Sequence, residues 1–105
     1  EETARRHVMK IEILDIAMGD LRNGQQFYER QQEGLGAYFL DSLFSDIDAL
    51  LLYAGIHQQF SGYYRALSKR FPYAIYYRVC DETIQVWRVL DCRQKPSRTA
   101  SALHA

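Results

Sequence analysis

The chain reads as an α+β domain of order β-α-α-β-β-β, with an N-terminal helical hairpin packed on one face of an antiparallel-rich sheet. Three observations lead there. Residues Met9 to Leu14 alternate apolar and charged side chains; two long stretches of helical period are separated by Gly34-Leu35-Gly36; and residues 63 to 91 are dense in aromatic and β-branched residues broken by turn signals. A chain of 105 residues, 48% of them apolar, suffices for one domain with a modest core.

Residues 1 to 8 have no apolar period and read as an upstream extension or tag, so the domain is expected to span residues 9 to 96. The first strand sets Met9, Ile11 and Ile13 against Lys10 and Glu12. Asp15 is a suitable N-cap for a helix running to about Gln32, whose Ala17, Leu21, Gly24 and Tyr28 share one face, widened by Phe27. Gly34 supplies the left-handed conformation that ends it. A second helix is expected from about Leu35 to Tyr53, with Phe39, Leu40, Leu43, Phe44, Ile47, Leu50 and Leu51 opposed to Asp41, Asp46 and Asp48. So short a link makes the two helices an antiparallel hairpin.

Gly55 stops the second helix and Ile56 to Gly62 reads as a polar loop. Strands are expected at about Tyr63 to Leu67, Pro72 to Val79 and Thr83 to Asp91, the last two joined by a tight Asp81-Glu82 turn. Pro72 cannot donate to a ladder and belongs at a strand start or an edge. Residues 97 to 105 are small and polar and read as a flexible tail.

With both helices on one face, the other face stays open, and function would live there. If Cys80 and Thr83 flank the turn, Arg78 pairs with Gln85, Tyr76 with Trp87 and Ala74 with Val89 on that open face. Tyr77–Val86, Val79–Ile84 and Tyr73–Leu90 then point to the helices. Arg88 breaks this register. Either it pairs with a helix acid such as Asp46 or Asp48, or a bulge turns it outward. The strand region as a whole interleaves Tyr64, Tyr73, Tyr76, Tyr77 and Trp87 with Arg65, Arg70, Arg78, Arg88 and Arg93, a mixture suited to an anionic partner, and its open side carries Arg78, Tyr76, Trp87 and Gln85 as a contiguous patch.

A formal net charge of zero conceals an asymmetry. From Met9 to Ser61 three basic residues face eight acidic ones, and from Gly62 to Arg98 eight basic residues face three acidic ones. One end of the molecule should therefore carry a positive field, part of it spent on internal helix–sheet pairs. No apolar run approaches the roughly 20 residues of a membrane span, and the start is not a secretory signal, so a cytoplasmic protein is expected. Cys80 and Cys92 lack the spacing of a zinc site and read as reduced thiols. No phosphate loop, nucleophile elbow or metalloprotease motif occurs, and His7, His57 and His104 read as surface residues, so neither metal nor cofactor is expected. What remains is a binding face, or a ribonuclease whose arginines steady the charge of the transition state.

The segment Asp20-Leu21 with Phe27-Tyr28-Glu29, the Gly34-Leu35-Gly36 link with Phe39-Leu40, and above all Arg70-Phe71-Pro72-Tyr73-Ala74-Ile75-Tyr76-Tyr77-Arg78-Val79 resemble the RelE/ParE superfamily of toxins from bacterial type II toxin–antitoxin modules. Val86, Val89-Leu90-Asp91-Cys92-Arg93 and Pro96 continue the resemblance, which covers about Met9 to Pro96. It implies two helices over an antiparallel sheet and a cognate antitoxin as partner, with operator DNA bound only through the antitoxin. RelE-like members cut ribosome-bound mRNA; ParE-like members block DNA gyrase. Nucleases of the first branch tend to carry a basic residue on the central strand, where Ala74 stands here, and a C-terminal tyrosine or histidine, where this chain has only His104.

That departure points to the ParE-like branch, a plasmid-stabilisation type of toxin that is not an enzyme. Arg65, Arg70, Tyr76, Arg78, Trp87 and Arg93 are then the expected target- or antitoxin-binding residues. The alternative is an mRNA endoribonuclease with Arg65, Arg78 and Arg93 as phosphate clamps. A degenerate, non-toxic binding module is the third reading.

Overall fold

The computed structural model describes residues 9–104. Their order is β1 (Lys10–Ile13), α1 (Asp15–Gln31), α2 (Leu35–Asp48), α3 (Leu50–Tyr53), β2 (Gln59–Phe60), β3 (Tyr63–Leu67), β4 (Tyr73–Cys80), β5 (Thr83–Asp91) and α4 (Pro96–Leu103). The five strands form one sheet in the order β1-β5-β4-β3-β2, antiparallel except for β1, which lies parallel to β5. The helical hairpin is the crossover that parallel pairing requires between β1 and the rest of the sheet.

The expected elements are present, with four revisions. Leu14, not Asp15, occupies the N-cap of α1; Asp15 is the first helical residue and makes no capping bond. The second helix breaks at Ala49 into α2 and the single turn α3. The polar loop contains β2, which makes a two-residue edge strand beside β3. The segment read as a flexible tail forms α4, with Pro96 in its first turn and Thr99 and Leu103 buried. The expectation for residues 1 to 8 lies outside the described residues.

The core on the hairpin side is built from Ala17 and Leu21 of α1, Phe39, Leu43 and Ile47 of α2, and Ile75, Tyr77, Ile84, Val86 and Val89 of the sheet. Each fully buried aliphatic or aromatic side chain contributes about 1.5–3 kcal/mol, so this layer dominates stability. The helices approach closely because two glycines face each other's helix. A Cβ on Gly36 would sit 2.7 Å from the carbonyl oxygen of Gln25, and one on Gly24 only 2.5 Å from Phe39 Cζ. Between the helices Gly34 adopts φ +89°, and the Glu29 carboxylate accepts from the amides of Gly34 and Gly36. Those backbone bonds, Gly34's first, hold the Glu29 carboxyl below its ordinary range.

Along β4 and β5 the expected register holds from Cys80↔Thr83 to Tyr77↔Val86 and then slips by one residue. The cause is a bulge at Trp87, beyond which Tyr76 pairs with Arg88, Ile75 with Val89, Ala74 with Leu90 and Tyr73 with Asp91. Val86 and Val89, three positions apart, both enter the hairpin-side core, which strict alternation forbids. The bulge resolves that conflict, and it also moves Arg88 to the reverse face. The pairs Tyr76–Trp87, Ala74–Val89 and Tyr73–Leu90 are therefore replaced.

Arg88 still finds an acid, though neither Asp46 nor Asp48. Its Nε and Nη2 donate to the two oxygens of Asp20 at 2.8 and 2.9 Å, and its Nη1 to the carbonyl of Ala102 at 2.9 Å. Asp20 Oδ2 also accepts from the amide of Val89 at 3.0 Å, beyond the point where β1 ends. Asp46 instead accepts from the Ser68 hydroxyl and the Lys69 amide, and Asp48 is exposed.

The reverse face is not left bare. α4 lies across part of it, covering a second small core of Tyr63, Ala74, Tyr76, Leu90 and Leu103, and Tyr63 Oη donates to the Leu103 carbonyl at 3.1 Å. The hairpin nonetheless covers only one side of the sheet.

Removing one partner of the largely buried Asp20–Arg88 pair strands the other, so Asp20→Ala should cost about 2–4 kcal/mol in urea unfolding. The apolar double replacement Asp20→Leu/Arg88→Met should cost less than either single change. The α1 glycines should behave oppositely. Nothing lies within 4 Å of a Cβ at Gly19, so Gly19→Ala should stabilise by about 0.5–1 kcal/mol. Gly24→Ala should destabilise by about 1–3 kcal/mol, because the Phe39 ring is wedged among Tyr28, Phe71 and Tyr73 and cannot yield.

Candidate functional site

The β3–β4 register sets Tyr64 opposite Tyr77, which places Tyr63 beside Arg78 on the reverse face. The bulge brings the Trp87 indole to the other side of the same guanidinium. Arg78 Cζ lies 4.1 Å from the centroid of the Tyr63 ring and 5.3 Å from that of Trp87. Tyr63 and Trp87 meet edge to face at 5.8 Å. Such a stacked cation gains about 0.5–2 kcal/mol and keeps its hydrogen-bonding edge free. Among the described residues no carboxylate pairs with Arg78. Trp87 Nε1 is buried without a hydrogen-bond partner.

α4 adds a residue that sequence reasoning had set aside. The His104 ring lies 6.4 Å from Tyr63, the same ring that carries Arg78. The signal for this helix was present: Pro96 fits a first helical turn, and Thr99 and Leu103 are four apart on one face.

A cleft of about 610 Å³ opens on the same face, between β2–β3 and the start of α4. Arg65 and Tyr76 line it with Phe60, Gln59 and Gln94, and among the described residues no acidic side chain contributes to its wall. Arg65 Nε donates to Tyr76 Oη at 3.0 Å, and Nη2 contacts Cys92 Sγ at 3.6 Å. Burial pushes the Cys92 thiol up, an effect that Arg65 opposes. Cys92 and Cys80 are both free thiols.

The structure thus brings Arg65, Tyr76, Arg78 and Trp87 to one face, though Tyr76 is only 3% exposed and acts as floor rather than contact surface. The other two expected site residues lie elsewhere. Arg70 is exposed in the β3–β4 turn, and no side chain among the described residues holds it. Arg93 folds back on Asp91, with Nε–Oδ1 at 2.9 Å and Nη2–Oδ2 at 2.6 Å, so the clamp of Arg65, Arg78 and Arg93 is not assembled. That fork of hydrogen bonds pulls the Asp91 carboxyl down and raises the Arg93 guanidinium. His57 is likewise not a free surface group: Nδ1 meets the Tyr77 hydroxyl, which also accepts from the Gly55 amide at 2.9 Å.

Beside the cleft lies an apolar band. Leu52 is 79% exposed, Ile56 73% and Leu67 60%, with half-exposed Leu51 and Tyr53 between them. Scattered apolar residues need no explanation, but four of these, Leu51, Leu52, Tyr53 and Ile56, fall within six residues of chain just before the short edge strand β2. Among the described residues no cluster of His, Cys, Asp and Glu is placed to hold a metal ion, and no helix is long and apolar enough to cross a membrane.

The helical hairpin on one side of a mostly antiparallel five-stranded sheet is the arrangement that the sequence resemblance implied. A chain of the solved chromosomal ParDE TA system from P. aeruginosa shares this fold, with a TM-score of 0.71 and 18% sequence identity over 80% of this chain and 96% of that one. No family model matches the sequence, and no curated protein matches it either.

The aromatic core predicts an alkaline limit to stability. Burial, with Asp91 nearby, pushes the Tyr73 phenol up to about 12, and burial raises that of Tyr77 as well. In the unfolded chain both ionise near pH 10, so above that pH the unfolded state holds fewer protons and stability falls until the folded phenols also titrate. Denaturant midpoints measured between pH 9 and pH 11 should therefore decline. Tyr73→Phe should show a shallower decline, with the remainder due to Tyr77.

Proposed function

We propose that this chain is the toxin component of a type II toxin–antitoxin module, of the ParE-like branch, acting in the cytoplasm on DNA gyrase and neutralised by a cognate antitoxin. The observation that carries the reading is the fold shared with a ParDE system over nearly the whole of that chain. The apolar band of Leu51, Leu52, Tyr53, Ile56 and Leu67 supports the antitoxin as partner. It suits the apolar face of an amphipathic helix, while the edge strand β2 offers unpaired backbone to an extended segment. Exposed Lys69 and Arg70 favour acidic residues in that segment. The ParE-like branch is favoured because the central strand carries buried Ala74 and Arg93 is neutralised by Asp91.

One observation favours the second reading, an mRNA endonuclease. His104 lies beside the ring that supports Arg78, so an acid–base group and a phosphate-binding cation are near each other. A toxin that has lost its target would keep only the antitoxin surface.

Purified protein should inhibit gyrase supercoiling, and antitoxin should relieve the inhibition. Ile56→Asp should weaken antitoxin binding at least tenfold while leaving inhibition unchanged. Ribosome-dependent mRNA cleavage that disappears in Arg78→Ala and His104→Ala, with gyrase unaffected, would replace this reading by the nuclease. Expression without growth arrest would leave only the binding module.

A further inference from the structure

We propose that His57 and Tyr77 form a pH-sensitive latch, which holds the loop of residues 54–58 against the sheet at neutral pH and releases it in acid. The latch belongs to the fold itself. On the toxin reading it also makes the antitoxin's hold pH-dependent, because Ile56 of the apolar band sits inside that loop.

Two residues of this loop converge on one buried hydroxyl. Gly55 donates its amide to Tyr77 Oη at 2.9 Å, and His57 Nδ1 meets the same oxygen. Ile56 is thus held between two residues fixed to the sheet. Tyr77 is 0% exposed, with Tyr64 stacked on its ring at 5.2 Å. Burial raises its phenol above the ordinary range, so the hydroxyl hydrogen stays on at neutral and acid pH. Only one arrangement of hydrogens gives every atom a partner. The hydroxyl accepts from Gly55 and donates to a bare Nδ1, leaving the imidazole hydrogen on Nε2. With a hydrogen on Nδ1, that of the phenol would turn into the core, where no described residue accepts it.

Protonation of His57 creates that misfit. An imidazolium carries a hydrogen on Nδ1, so the closed latch has no place for the added proton and the open one does. Falling pH therefore favours the open form. The surroundings do not offset this. On the hairpin side His57 shares a small cavity with Asp46 of α2, Tyr53 of α3 and Lys69. Asp46 already accepts from the Ser68 hydroxyl and the Lys69 amide, and it makes no ion pair with the ring. On the cleft side the titratable neighbours are Arg65, Tyr76 and Cys92, and Arg65 disfavours a second cation. Backbone bonds tie the ends of the loop, Ala54 to Leu50 and Gln58 to Arg65. Between those ends the Tyr77 hydroxyl is the hydrogen-bonded link to the sheet among the described residues.

NMR titration of the free, intact protein from about pH 8 to about pH 5.5 tests the latch, with the His57 ring, the Gly55 amide and the Tyr77 ring as reporters. All three should shift with one midpoint, and the hydrogen-exchange protection of the Gly55 amide should fall about tenfold. His57→Asn places an amide oxygen where Nδ1 lies and cannot titrate, so Gly55 protection should stay high and flat across the range. Tyr77→Phe keeps the ring packing and removes the hydroxyl, so protection should be low and equally flat. Should Tyr77→Phe not fold, the unaltered protein and His57→Asn carry the test. A His57 ring that titrates while Gly55 stays protected would overturn the proposal. So would a pH response that survives in His57→Asn, which would assign it to another group such as Asp46. No antitoxin is present, so failure here leaves the toxin reading where it stood, and failure of that reading leaves the latch.

Discussion

The Asp20 carboxylate ties the layers of this fold together. It rises from α1 at the edge where β1 has ended, accepts the Val89 amide that β1 would otherwise have taken, and grips Arg88 with both oxygens. Arg88 in turn reaches the Ala102 carbonyl near the end of α4. One acid thus joins the helical hairpin, the exposed stretch of β5 and the helix on the reverse face. An ion pair of this kind gives little net energy against apolar replacements, because desolvation offsets much of its Coulomb attraction. Its effect is geometric: it decides where α4 lies, and α4 decides how much of the reverse face is accessible.

The bulge at Trp87 is the partner of that constraint. Without it Arg88 would face the hydrophobic side of the hairpin, and Val89 would face α4. With it, the aliphatic residues keep to one side, Arg88 reaches Asp20 around the sheet edge, and Trp87 closes over Arg78. The local departure from regular pairing creates both the main structural ion pair and the stacked cation of the candidate site. Bulges elsewhere re-aim side chains beside functional sites in the same way.

How far the sequence revealed this follows from the range of each interaction. The hairpin and the three long strands were legible because periodicity and turn chemistry are local properties. The placement of Arg78 and Trp87 on one face followed from alternation counted outward from the Asp81-Glu82 turn, where the register was right as far as Tyr77↔Val86 and Trp87 kept its face but not its pairing with Tyr76. Beyond Trp87 alternation failed, although the pattern of Ile84, Val86 and Val89 held the clue. The choice of Asp20 over Asp46 or Asp48 was invisible, since it depends on where β1 stops relative to β5. The pairing of Arg93 was missed for the opposite reason. Its partner Asp91 is two residues away, and a short-range fork was overlooked in favour of a distant phosphate. The tail misled because Ser, Arg, Thr and Ala carry little apolar signal, and α4 needs the sheet to bury Leu103.

These pairings redistribute the charge asymmetry of the chain. Arg88 and Arg93 are neutralised by Asp20 and Asp91, so neither contributes much to an outward field. Among the described residues the cations without a carboxylate partner include Arg65 and Arg78 in the reverse face, exposed Lys69, Arg70, Lys95 and Arg98, and Lys10, Arg22 and Arg30 nearer the start of the chain. The hairpin opposite exposes Asp15, Glu33, Asp41 and Asp48 alongside Arg22 and Arg30. A chain of zero net charge thus still carries unpaired positive charge beside the aromatic residues of its reverse face. Unpaired positive charge of this kind favours the approach of an anionic partner to that face. Arg78 then needs no rearrangement on arrival, because Tyr63 and Trp87 already hold its guanidinium in place with its hydrogen-bonding edge unspent.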